Sequence, residues 1–160
     1  MSMSKDYYPA SDFLNQIISG DVALVGSAFA EENLRRLIAM MRDDDLTNRD
    51  WATMLLSQQE IDTPEVREAL LNSLADDEEA VRAEALLGLA QRDAKLALPY
   101  AITALSSDCV SVPVFEAVTL IADAALAEHV RPWTEVSGDD WIDKLAREAM
   151  EACRSSAPRP

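Results

Sequence analysis

Few residues in this chain could do chemistry, and their spacing does not favour it. His129 is the only histidine, next to Glu128, and the two cysteines, Cys109 and Cys153, lie far apart. A zinc or iron site draws on several His, Cys or carboxylate ligands at short spacing, so one histidine excludes a His-rich metal site. No Ser-His-Asp or Cys-His set comes with the elbow sequence that would expose a nucleophile. Four glycines are too sparse for a phosphate loop, and neither the Rossmann nor the P-loop spacing occurs. His129 reads as a partly exposed helix-end residue and Cys109, beside Asp108, as structural. No catalytic residue, metal ligand or cofactor is assigned, and the chain reads as a non-enzyme.

What remains is charge. Lys and Arg total 14 against 29 Asp and Glu, a formal net charge of −15 over 160 residues. Such a field repels nucleic-acid backbones and anionic membranes. It attracts a basic protein and speeds the encounter. A second use competes for the same carboxylates. Asp43-Asp44-Asp45, Asp76-Asp77-Glu78-Glu79 and Asp139-Asp140 stand where helices should start, and acids there cap free N–H groups and meet the positive end of the helix dipole. The longest apolar stretches, such as 96–105, are far shorter than a membrane span. The N-terminus, Met1 to Tyr8, lacks the basic-then-apolar layout of a signal peptide. We therefore expect a cytoplasmic protein that contacts neither nucleic acid nor membrane.

The elements that position this charge are helices. Strand-like alternation is absent, and Ala, Leu and Glu dominate. Apolar spacing and caps predict helices over 10–19, 21–29, 32–42, 47–58, 64–75, 78–91, 94–106, 111–123, 125–134 and 139–154. Thr63-Pro64 is a capping hydroxyl followed by proline at the first helical position, and Asp76 or Asp77 should cap the next helix. Pro99 should kink its helix, whereas Pro113 fits a first turn. The pattern also repeats. Trp51-Ala52 falls on Glu84-Ala85 at a shift of 33, and Glu116-Ala117 falls on Glu84-Ala85 at a shift of 32. The preceding helices repeat as well: Leu37-Ile38 and Met41 fall on Leu70-Leu71 and Leu74, and Ile102 and Leu105 on Leu71 and Leu74. A two-helix unit of just over thirty residues recurs about three times, the signature of a stacked array.

The run Asp77…Val81-Arg82…Ala85…Leu89, preceded by a Leu-rich helix, resembles the HEAT repeat, and in particular the short bacterial PBS-lyase HEAT-like type. The resemblance covers roughly residues 30–135. The first unit keeps Arg49 and Ala52 but has Asn48 for Val; the third has Pro113-Val114 for Val-Arg, a departure from the family's Asp–Arg ladder. It implies an all-α fold, an α-solenoid of two-helix repeats. The expected domain runs 1–154: an N-terminal cap 1–30, repeats over about 31–135, and a C-terminal cap 136–154, with a disordered tail 155–160. Solenoids need such caps to close their apolar ends.

In HEAT-like arrays the second helix of each unit lines the concave face. With Val81, Ala85, Gly88 and Leu89 as the buried stripe, Glu84, Leu87 and Gln91 point outward. Their equivalents are Trp51, Met54 and Gln58 in the first unit and Glu116, Thr119 and Asp123 in the third. An aromatic anchor ringed by charge is the composition of a protein-binding hot spot. Trp51 has an alternative role, packing against the N-terminal cap. Trp133 and Trp141 are expected to be cap packing and Phe115 core. HEAT-like hydroxylases need several His-Glu pairs, and HEAT-like DNA glycosylases need a basic concave surface; both are excluded. The expected function is a protein-binding adaptor. Its sharper form is an acidic immunity protein that neutralises a basic toxin domain; the alternative is an assembly factor or lyase-like partner for a cofactor-bearing protein, as the phycobilin lyases with this repeat type imply.

Overall fold

A computed structural model describes residues 7–156. They form nine α-helices and no strand: α1 (Asp12–Ser19), α2 (Ala30–Met40), α3 (Leu46–Ser57), α4 (Pro64–Ser73), α5 (Glu79–Arg92), α6 (Ala94–Leu105), α7 (Val112–Ile121), α8 (Ala127–Val130) and α9 (Asp140–Ser155). Short 3₁₀ turns flank α8. Among the described residues no helix is long and apolar enough to cross a membrane.

Side-chain caps start most of these helices. Ser11 accepts from Leu14 N, Asp45 from Thr47 N and Asn48 N, Thr63 from Val66 N, Asp93 from Leu96 N, and Asp139 from Trp141 N and Ile142 N. Each satisfies backbone donors that a helix start leaves open. Part of the chain's acidity is thus spent on capping. The start of α5 departs from expectation. Its N-cap is Glu78, which makes no side-chain cap bond, because Asp76 is engaged elsewhere. The Asp76 carboxylate receives Arg49 Nε at 3.0 Å and Glu78 N at 3.0 Å.

Three expected stretches come out differently. Residues 21–29, expected as a helix, are turns and bends: left-handed Gly20 (φ 84°) ends α1 and Gly26 (φ 72°) turns the chain again. Residues 125–134 do not form one helix but split into 3₁₀, α8 and 3₁₀ segments, with Pro132 unable to donate to the preceding turn. α7 stops at Ile121, two residues early, where Ala122 turns left-handed (φ 48°). Ser155, assigned to the tail, is the last residue of α9; of that tail, 157–160 lie outside the described residues. Pro99 lies inside α6 as expected.

The packing has a simple order. α3 packs against α5, α5 against α7 and α7 against α9, while α2, α4 and α6 each back onto the helix that follows them. Contact among α2, α4 and α6 themselves is much slighter, so one layer is tight and the other splayed. Two cores result. One joins Phe13, Leu14, Leu37, Leu56, Val66 and Leu70; the other is built around Leu86, Leu89, Phe115, Val118, Leu126 and Ala146. Phe115 is fully buried, as expected, and Trp133 meets it edge-on at 6.4 Å while donating to Leu105 O. Trp141, expected in the cap packing, is instead 53% exposed, with the Lys144 ammonium 5.1 Å from its ring.

Two residues set the tight α3–α5 contact. A Cβ at Gly88 would meet Ser57 Oγ at 2.9 Å and Leu70 Cδ2 at 3.0 Å, so glycine is what lets the helices close. Arg92, on the last turn of α5, donates to Leu56 O, Ser57 O, Gln59 O and Ile61 O, and to Gly88 O of its own helix. It thereby satisfies the carbonyls that the end of α3 leaves open.

Candidate functional site

α3, α5 and α7 present one face of the tight layer to solvent. On α5, Ala80, Glu84, Leu87 and Gln91 form one half-buried or exposed stripe at helical spacing, while the partly exposed Glu79, Arg82 and Arg92 lie off it. That stripe is the one expected from the repeat. Its middle member, Glu84, is half-buried, and three effects act on it. Burial disfavours the charged form, and the negative charges of Asp50 on α3 and Glu116 on α7 add to this. Together they push the Glu84 carboxyl up to about 7. Burial also raises Asp50, against a hydrogen bond from Tyr7 Oη to its Oδ2 at 2.8 Å, and raises Glu116. Asp50, Glu84 and Glu116 thus form an electrostatically coupled row across α3, α5 and α7, neighbours within the tight layer. Among the described residues no Lys, Arg or His forms an ion pair with any of the three.

The aromatic anchor lies at one end of this row. Trp51 is half-buried beneath the N-terminal segment, its ring stacked with Tyr7 at 6.4 Å and Tyr8 at 6.3 Å. Its Nε1 is buried and meets no acceptor among the described residues. Tyr8, the outer ring, is 58% exposed. Trp51 thus packs against the N-terminal segment, where Tyr7 and Tyr8 both stack on its ring and Tyr7 bonds Asp50. Burial, and then the hydrogen bond to Asp50, push the Tyr7 hydroxyl up to about 12.

The remaining expected residues divide. Gln58 and Gln91 are exposed and share an open cleft with Glu60, Asp62 and Arg92 at the C-terminal ends of α3 and α5. Met54 is half-buried, and Leu87 packs against the second core while keeping part of its surface. Thr119 is exposed, with its hydroxyl bonded back to Phe115 O at 2.9 Å. Asp123 is not on the α7 face at all. It lies past the left-handed Ala122 and accepts from Ala125 N at 2.8 Å, capping the 3₁₀ turn before α8.

Sequence reasoning missed Asp50 and Leu120. The repeat shift places Trp51, not Asp50, on Glu84; a carboxylate one residue earlier is the available signal. Leu120, 50% exposed on α7, follows Glu116 by one helical turn and was detectable at that spacing. No cluster of three or more His, Cys, Asp or Glu residues among those described is arranged to hold a metal ion. His129 lies 3.9 Å from Glu128 at the end of α8, as expected.

No family model matches the chain. Over 90 residues, 56% of the chain, it is 29% identical to protein YibA of Escherichia coli strain K12, and equally to protein YibA of Escherichia coli O157:H7. That stretch spans only 32% of those relatives' own length. The X-ray structure of Escherichia coli YibA superposes with a TM-score of 0.59 at 21% identity, covering 87% of this chain and 54% of that one. The likeness is one of fold.

Proposed function

We propose that the chain is a HEAT-like α-solenoid that binds another protein through the curved face of α3, α5 and α7, and that its partner is basic there. The solenoid reading is supported by the layering: one helix of each pair packs tightly on its successors while the other splays, which curves a stack toward its tight layer. The binding reading is carried by one observation. Asp50 and Glu84 are half-buried and Glu116 is exposed, Asp50 and Glu116 both raise Glu84, and among the described residues no Lys, Arg or His pairs with any of the three. Such an arrangement weakens the isolated fold and is relieved when a Lys or Arg from outside enters the row, because the pair is then made in a partly dehydrated setting. Trp51, with Tyr7 and Tyr8, offers the apolar contact at the edge of the charge.

The sharper form of the proposal is a neutraliser of a basic toxin domain, in keeping with a net charge of −15. Affinity capture from native lysate, at low and at high salt, tests the reading. A basic protein retained at low salt and released at high salt is expected; a retained partner that is neutral, acidic or pigment-bearing contradicts it.

A further inference from the structure

The Arg49 and Arg82 positions, 33 residues apart, each border a cleft between successive layers, and the two clefts differ in one informative way. The first is lined by Met41, Arg49, Asn72, Ser73 and Asp76, among others. The second has Leu74, Arg82, Thr103, Ala104 and Ser107 at the corresponding positions. In the first cleft Arg49 uses its whole guanidinium. Nη1 reaches Asp43 O and Asp44 O, while Nε and Nη2 grip the Asp76 carboxylate at 3.0 and 3.4 Å. Arg82 reproduces only the first half, with Nη1 donating to Asp76 O at 2.6 Å. Its Nε and Nη2 meet no acceptor among the described residues. Ser107 stands where the carboxylate would be, and its hydroxyl turns back to Thr103 O.

The second cleft has gained an acid as well as lost one. Glu79, one turn before Arg82 on α5, also lines it; the residue at that place in the first unit is Leu46. Glu79 Oε1 accepts from Ser111 Oγ at 2.9 Å, which fixes the carboxylate and leaves Oε2 without a partner among the described residues. The walls between are apolar: Leu74, Leu86, Ala104 and Val114. A guanidinium edge and a carboxylate one helical turn apart, over an apolar wall, complement a zwitterion with an apolar substituent.

We propose that this cleft binds an apolar α-amino acid. Its carboxylate lies on the Nε/Nη2 edge of Arg82 in the place Asp76 takes beside Arg49, its ammonium on Glu79, and its side chain against Leu74, Leu86 and Val114. The proposal is independent of the carboxylate row on the tight face, since neither Glu84 nor Trp51 touches this cleft.

Cys109 supplies the readout. It is exposed and lines the cleft, whereas Cys153 is buried, so alkylation by iodoacetamide reports on this site alone. With the intact folded chain, millimolar L-leucine is expected to slow Cys109 alkylation several-fold. 4-Methylpentanoate, which lacks the ammonium, and isoamylamine, which lacks the carboxylate, are expected to protect far less. Ser107→Asp is expected to restore the intramolecular pair with Arg82, raise the melting temperature and abolish protection by leucine. Glu79→Gln is expected to remove the advantage of leucine over 4-methylpentanoate. No protection by leucine, equal protection by either single-charge analogue, or protection that survives Ser107→Asp would each overturn the proposal.

Discussion

Glu84 carries the electrostatics of the tight face, and its titration has a sign that can be tested. Burial, Asp50 and Glu116 hold its folded carboxyl near 7, above the ordinary value of 4.5. The folded state therefore binds the proton more tightly than the unfolded chain. The stabilisation is fully present below about 4.5 and is lost as pH rises through 7. Asp50 and Glu116 are raised too and act in the same direction, whereas Asp45, Asp62 and Asp143 are lowered and lose their contribution only under strong acid. The melting temperature is thus expected to rise when pH falls from 8 to 5.5. Glu84→Gln should stabilise the chain at pH 8, on the order of 1–3 kcal/mol, and flatten that pH slope. Thermal melts of both chains across this range check it; a slope unchanged by the substitution would show that Glu84 is ordinarily solvated. The place of Glu84 on this face was legible from the repeat period, but its partial burial was not, since the spacing had it pointing outward. Asp50 was not, because a shift that superposes units says nothing about which neighbours on adjacent helices meet.

At the scale of elements, the capped starts at Asp45, Thr63, Asp93 and Asp139 show how directly a helix boundary can be read when a hydroxyl or carboxylate precedes an apolar period. The failures are equally physical. Residues 21–29 contain helix-forming alanines, but Gly20 and Gly26 adopt positive φ and leave Val25 and Phe29 exposed. Nothing local marks Arg92 as special, since its carbonyl partners come from a helix end more than thirty residues away. Arg92→Ala should cost about 3 kcal/mol, because two carbonyls at the end of α3 and two in the segment after it lose a charged donor at once. Arg92→Lys should recover only part of that, as one ammonium cannot span the same set. Gly88→Ala makes a sharper test. Helix propensity alone would favour alanine by about 1 kcal/mol. Here the added Cβ strikes Ser57 and Leu70, and overpacking of this kind costs roughly 1–3 kcal/mol. A net loss in urea denaturation is expected; a net gain would mean that α3 and α5 are looser than described.

Across the whole molecule the charge of −15 serves two ends. A share of the acids caps helix starts or pairs internally, as Asp45, Asp139 and the Asp62–Arg67–Asp93 bridge do. The row on the tight face does neither. The all-helical class was readable in the composition and the apolar spacing. The way the layers bring acids of α3, α5 and α7 together was not, because it depends on how successive helices rotate against one another. The most direct test pairs two baits in one capture experiment: the native chain, and a variant carrying Asp50→Asn, Glu84→Gln and Glu116→Gln. Neutralising the row removes mutual repulsion, so the variant is expected to keep its helical signal and melt no lower than the native chain at pH 8. Retention of a basic partner by the native chain at low salt, with at least tenfold less retained by the folded variant, is the predicted result. Equal retention by both baits would contradict the account.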